Sequence, residues 1–117
     1  SSKSKKVAYK KSKAKKIKLN GQTSNIYTTG EKTSRWYKIS ITSTKKKRIL
    51  NLGKNTVSGG YKFTIYKNGK KKAIKTIKVT GNANAKIAKM PKKKGTYYIR
   101  ISKLTKKTNG TYEIGYY

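Results

Sequence analysis

At 117 residues the chain has room for one domain with a single modest core. It carries 33 Lys plus Arg against two acidic residues, a formal net charge of +31, with no His and no Cys. That composition excludes disulfide staples, thiolate nucleophiles, zinc ribbons and every triad built on an imidazole, and no run of 18 apolar residues exists to cross a bilayer as a helix.

In chain order, residues 1–13, "SSKSKKVAYKKSK", read as a basic arm or linker, with room for a short edge strand at Val7 to Tyr9. Ser1 to Lys6 has no apolar core, so an export signal is expected to have been removed or to lie outside this chain. Residues 14–117 read as one β domain. Its punctuation is regular: Asn20-Gly21, Asn68-Gly69 and Asn109-Gly110 are turn signals because both residue types accept positive φ, and Gly59-Gly60, Gly81-Asn82 and the lone Pro91 add three more. Between these marks the expected strands are 14–19, 24–28, 35–43, 47–52, 61–67, 70–79, 84–89, 96–102 and 111–117.

Such a charge leans toward disorder unless the apolar residues are well placed. Here they alternate. Tyr37, Ile39 and Ile41 share one face, as do Tyr61, Phe63 and Ile65, then Tyr97, Ile99 and Ile101, then Tyr112, Ile114 and Tyr116. These twelve form the expected core, and the opposite parity (Lys38, Ser40, Lys62, Thr64, Arg100, Ser102) gives each strand a wet side. No helical stripe is present.

The segments "SRWYKISI" (34–41), "YKFTIYKNGKK" (61–71), "KGTYYIRISK" (94–103) and "NGTYEIGY" (109–116) resemble, in that order, the bacterial pre-peptidase C-terminal domain over roughly residues 14–117. The resemblance implies an all-β, antiparallel, jelly-roll-like β-sandwich of eight or nine strands that is secreted, noncatalytic and attached to a protease or surface protein. Some members of that family bind calcium or collagen. A calcium site needs several carboxylate oxygens, and only Glu31 and Glu113 exist, so no metal site is carried over.

Catalytic candidates are few. Glu31 and Glu113 could pair as in a glycosidase, but Glu31 sits in the "TGEKTS" turn and Glu113 lies on the wet parity, where an ion pair with lysine is the simpler reading. Ser-x-x-Lys occurs at Ser2/Lys5, Ser12/Lys15 and Ser43/Lys46, as often as chance provides in a lysine-rich chain. The Gly-rich "GKNTVSGG" (53–60) could cradle a phosphate but lacks the P-loop spacing, and it reads as a plain loop. Asn109 to Thr111 matches a glycosylation acceptor, which turn geometry explains better. Neither an enzyme nor a cofactor is expected.

The charge itself is the remaining functional datum. At roughly 200 Å² of folded surface per net charge, neighbours stand about 14 Å apart, close to the Debye length of ordinary buffer. Lysine also bunches, at Lys45, Lys46, Lys47 and Arg48, at Lys70, Lys71 and Lys72, at Lys92, Lys93 and Lys94, and at Lys106 and Lys107. Because antiparallel strands reverse direction, successive connections alternate between the two ends of a sandwich. The first three clusters then share one pole and become candidates for polyanion binding, each lysine acting as a point charge. The alternative is an even coat, since loops tolerate lysine anywhere. Trp36, Tyr66, Tyr98 and Tyr117 lie on the wet parity beside lysines and are candidates for stacking on bases or sugar rings, or for ordinary packing. Three Arg weigh against base-specific reading. The basic arm lacks an apolar face to insert into lipid.

These features lead to the expectation of a secreted or cell-surface module that holds its parent protein on an anionic polymer such as teichoic acid, acidic glycan or DNA. The alternatives are a structural spacer or assembly domain, or a cationic protein acting on nucleic acid or membrane.

Overall fold

The computed structural model of the chain describes residues 7–27 and 33–117. A 3₁₀ turn at Lys11–Lys13 precedes nine strands: β1 (Lys15–Lys16), β2 (Gly21–Tyr27), β3 (Arg35–Ile41), β4 (Ile49–Ser58), β5 (Tyr61–Lys67), β6 (Lys75–Val79), β7 (Ala83–Lys89), β8 (Gly95–Lys103) and β9 (Asn109–Tyr116). They form two sheets, a five-stranded one in the order β1-β3-β8-β5-β6 and a four-stranded one in the order β2-β9-β4-β7. Apart from the two-residue parallel contact of β1 with β3, the pairings are antiparallel. The chain is an all-β sandwich.

The inward faces follow from period-2 alternation. All twelve expected core residues are buried, none more than 3% exposed. Leu50 and Leu52 of β4, Tyr27 of β2, Ile17, Val79, Ala88 and Met90 complete the cluster. Tyrosine, rather than phenylalanine, suits this core because each ring spans the interior while its hydroxyl reaches a backbone acceptor at the rim. Tyr27 shares its one hydroxyl proton between the carbonyls of Thr33 (2.9 Å) and Ile101 (3.0 Å), and Tyr61 donates to Gly110 (2.6 Å), Tyr97 to Lys93 (2.8 Å) and Tyr116 to Ser40 (2.8 Å). The rings thereby pin the connections at both ends.

Several strand limits differ from expectation: strand 14–19 reduces to Lys15–Lys16, strand 35–43 ends at Ile41, and Asn109-Gly110, expected as a turn, lies inside β9, the turn falling at 104–107. Residues 53–58, expected in a loop, continue β4: Gly53 to Asn55 pair with β7 on one side and β9 on the other. An added Cβ at Gly53 would make only ordinary contacts, 3.4 Å from Glu113 Cγ and 3.8 Å from Ala85 Cβ. The loop proper is Gly59-Gly60, where the chain leaves one sheet for the other. Gly59 has φ 72°, and the fully buried Thr108 hydroxyl bridges Gly60 by accepting from its N–H and donating to its carbonyl, both at 3.1 Å. Strand β6 begins at Lys75 rather than 70, because 70–74 form a wide turn anchored by Ile74 N–H to the Ile65 carbonyl (2.8 Å). Strand β2 starts at Gly21, three residues earlier than expected, and pairs with β9 along its whole length.

The segment before β1 lies along the β3 edge. Trp36 N–H donates to the Ala8 carbonyl (2.9 Å) and Ile17 N–H to Lys38 (2.9 Å), and Ala8 and Ala14 are buried.

Candidate functional site

Strand register decides where the basic connections sit. Ile41 pairs with Gly95, Lys67 with Tyr97 and Ile49 with Lys89, so connections 42–48, 68–74 and 90–94 leave from the same end of the sandwich. Backbone bonds tie them to each other and to the sheets: Met90 N–H to the Arg48 carbonyl (2.8 Å) and Asn68 N–H to Thr96 (2.9 Å). Lys45, Lys46, Lys47, Lys70, Lys71, Lys72, Lys92, Lys93 and Lys94 are exposed there, with Arg48 half-buried. Connections 59–60, 80–82 and 104–108, the last carrying Lys106 and Lys107, lie at the other end.

Within the basic end, the second and third clusters meet. Lys67, Lys70, Lys72 and Lys93 surround a cavity of about 380 Å³ floored by Ala73, Ile74, Pro91 and Tyr97. Lys67 was not singled out by the sequence. It is the last inward-parity residue of β5, following Phe63 and Ile65, so its stem rises from the core into the cavity, where the bare Cα of Gly95 leaves it room. Burial, and then the adjacent Lys93 and Lys70 ammonium groups, hold Lys67 below the usual lysine range. No contact brings Lys45, Lys46 or Lys47 onto this cavity; Lys45 N–H instead bonds Ser43 Oγ (3.3 Å).

The stacking candidates form a second group on the outer face of the five-stranded sheet. Trp36 and Tyr66 have ring centroids 5.7 Å apart, and Tyr98 pairs with Tyr66 across the β5–β8 ladder. Cations of the protein itself already cover them: Lys11 Nζ lies 4.9 Å from the Tyr98 ring and 5.6 Å from that of Tyr66, and Arg100 Cζ lies 5.7 Å from Trp36. All three rings are half-buried. Tyr117 stands apart on β9's end, exposed.

Two interior cations escaped the sequence reading. Arg35 extends the inward parity of Tyr37 and Ile39 and is 4% exposed, its Cζ 4.0 Å from the Tyr27 ring. Its Nη1 donates to the Tyr112 hydroxyl (3.1 Å), which also contacts the Tyr37 hydroxyl at 2.6 Å. Lys54 continues the Leu50, Leu52 parity and donates to Thr56 Oγ1 (2.6 Å) and the Asn82 carbonyl (3.0 Å); burial pushes its ammonium below the usual range. In both cases the signal was the strand period, which overrides the habit of placing charge outside.

Glu113 lies on the outer face of the four-stranded sheet, in a shallow trough of about 560 Å³ with Ser24, Asn51, Gly53, Asn55 and Ala85. Its proposed glycosidase partner Glu31, and the Ser2/Lys5 pair, lie outside the described residues. The described residues hold no ion pair for Glu113, so the lysine partner expected for it is not there; Ser24 of β2 and Gly53 of β4 stand beside it, with Ala85 of β7 beyond. They hold no cluster of three metal-ligating side chains, and no helix long and apolar enough to cross a membrane.

The arrangement is that of a β-sandwich with a basic end and no assembled catalytic group among the described residues. No family model and no curated protein matches the chain. Among solved structures, the pre-peptidase C-terminal domain of a collagenase from Bacillus anthracis is similar at 21% identity, over 90% of this chain and 95% of that one, with a TM-score of 0.69. PliG of Aeromonas hydrophila, a periplasmic inhibitor of g-type lysozyme, is similar at 11% identity over 90% and 98%, with a TM-score of 0.54. The chain therefore has the fold of a pre-peptidase C-terminal domain, as its Trp-Tyr, Gly-Thr-Tyr-Tyr and closing Gly-x-Tyr strands suggested.

Proposed function

We propose that this sandwich is a noncatalytic module that holds its parent protein on an anionic polymer outside the cell, with connections 42–48, 68–74 and 90–94 as its contact surface. The observation that carries the reading is the shared end of those three connections, which gathers Lys45 to Arg48, Lys70 to Lys72 and Lys92 to Lys94. Lysine clusters of this kind attract phosphate, sulfate or carboxylate without fixed geometry, by releasing counterions from the polymer. The extracellular setting draws on the two similar structures, one a domain of a collagenase and the other a periplasmic inhibitor. Teichoic acid, acidic glycan and DNA all meet the chemistry.

The test is retention on each polymer across a salt series, with Lys70, Lys71, Lys72, Lys92, Lys93 and Lys94 changed to Gln. On duplex DNA the slope of log affinity against log salt should flatten by about 0.9 for each phosphate that the variant no longer neutralises. Binding that ignores salt overturns the electrostatic reading. An equal loss on changing six lysines toward the other end, Lys10, Lys13, Lys62, Lys78, Lys106 and Lys107, overturns the pole.

A further inference from the structure

The cavity inside the basic end has more chemical character than a lysine cluster. Several of its donors are already engaged. Asn68 N–H is spent on Thr96, Lys70 N–H on Lys67, Ile74 N–H on Ile65 and Lys93 N–H on Pro91, all backbone carbonyls. The Tyr97 hydroxyl is spent on the Lys93 carbonyl, and Pro91 has no N–H. A guest therefore meets chiefly ammonium groups, which only donate, and the carbon of Ile74, Ala73, Pro91 and the lysine stems. Ile74 shows the carbon side: it is 41% exposed, a large aliphatic side chain standing among lysines.

Such a lining sorts anions. A sugar or polyol would set hydroxyls against Ile74 and Pro91 and gain little by covering them. A bare inorganic anion would satisfy the ammonium groups and leave Ile74 and Pro91 wet. An anion carried on a saturated chain meets both demands, since its head only accepts and its methylenes gain from covering Ile74, Pro91 and the lysine stems. Lys67, Lys70 and Lys93 also crowd one another with no carboxylate lining the cavity, so an anionic head relieves repulsion as it binds. We infer that the cavity between the β5–β6 and β7–β8 connections is a binding site for an alkyl phosphate, the head among Lys67, Lys70 and Lys93 and the chain along Ile74 and Pro91. The inference rests on the polyanion reading for its lysines, and goes beyond it in assigning shape and apolar selectivity to one part of the pole.

The experiment titrates the full chain with hexyl phosphate, inorganic phosphate and glycerol phosphate by calorimetry at fixed ionic strength. Hexyl phosphate should bind at least about 10-fold tighter than either comparator, because two covered methylenes already account for that ratio. Ile74→Ser should erase the ratio while leaving inorganic phosphate unchanged, and Ile74→Leu should keep it. Ile74 is an exposed side chain, so both variants should melt with the wild type, which a thermal scan checks. Equal affinities for the three phosphates, or a ratio that survives Ile74→Ser, overturns the site.

Vesicles of anionic phospholipid separate the two sources of the ligand. Binding that falls with Ile74→Ser assigns the alkyl phosphate to a lipid headgroup, and vesicle binding indifferent to Ile74, with the soluble ratio intact, assigns it to a free amphiphile. Salt-dependent retention on DNA distinguishes the two failures. If it persists while the hexyl phosphate ratio is absent, this site falls alone; if it too is absent, the polyanion reading falls with it.

Discussion

Tyr112 shows how a core this polar holds together. Its hydroxyl receives Arg35 Nη1 and contacts the Tyr37 hydroxyl, while its ring lies 5.6 Å from Tyr61 and 5.7 Å from Tyr27. The buried Arg35 guanidinium is held by that hydroxyl and by the faces of Tyr27 and Tyr112. Tyr112→Phe removes a partner from both Arg35 and Tyr37, and should cost about 1–3 kcal/mol in urea unfolding. Tyr9→Phe, at a half-exposed ring, should stay within about 0.5 kcal/mol. Protonation follows the same burial. Burial raises the pKa of Tyr37, Tyr97 and Tyr116, and for Tyr112 burial and then the neighbouring Tyr37 raise it further. The folded chain therefore keeps protons that the unfolded chain gives up near pH 10. Stability from these rings is whole below pH 10 and should fall above it, by up to about 1.4 kcal/mol per pH unit for each ring. Urea melts from pH 9 to 11.5 in about 0.5 M salt, which damps lysine repulsion, check this. Tyrosinate absorbance from the buried rings should appear together with unfolding, and absorbance that precedes unfolding contradicts the assignment.

At the level of strands, glycine carries two different burdens. Gly110, inside β9, has φ 144°, and an added Cβ would strike the Asn55 carbonyl oxygen and lie 2.7 Å from Thr56 Cα, both backbone atoms of β4. Gly69, in the β5–β6 turn, has φ 81° but nothing within 4 Å of the same position. Gly110→Ala should cost about 3 kcal/mol or more, combining strain and collision, and Gly69→Ala about 1 kcal/mol from strain alone. Chemical denaturation of the two variants gives the comparison, and similar costs would show that the β4–β9 contact is looser than described. The strands legible in the sequence were those with tyrosine or isoleucine at alternate positions, because alternation reports a half-buried sheet directly. The end of β4 was not legible: "GKNT" has poor strand propensity, and pairing on both sides holds it extended. The ends to which the connections belong could be counted without knowing the sheets, since a chain that reverses at each connection alternates ends even when it crosses from one sheet to the other. The cavity was not legible. It needs Lys67 to emerge from the core and Ile74 to stay wet, and both depend on the wide turn that replaces the expected start of β6.

Across the whole molecule, +31 charges on 7402 Å² of accessible surface lie roughly 15 Å apart. That spacing exceeds the Debye length of about 8 Å at 0.15 M salt and falls well inside the 30 Å or so at 0.01 M. Self-repulsion should therefore be felt in dilute buffer and largely vanish near physiological salt. Raising NaCl from 10 to 200 mM should lift the melting temperature by something on the order of 5–10 °C. This response and polymer binding sample the charge differently. Stability feels every lysine, whereas binding feels those that face the polymer. Changing Lys70, Lys71, Lys72, Lys92, Lys93 and Lys94 to Gln removes about one fifth of the net charge, and because self-repulsion grows with the square of that charge the salt response of melting should shrink by about one third. For a polar contact surface the salt slope of DNA binding should shrink by half or more, because these six are all the cations of two of its three connections and six of the nine exposed lysines on the three. If the DNA-binding slope shrinks by only about one fifth, the share of all cations removed, the polymer reads an even coat and the shared end of the three connections has no functional weight.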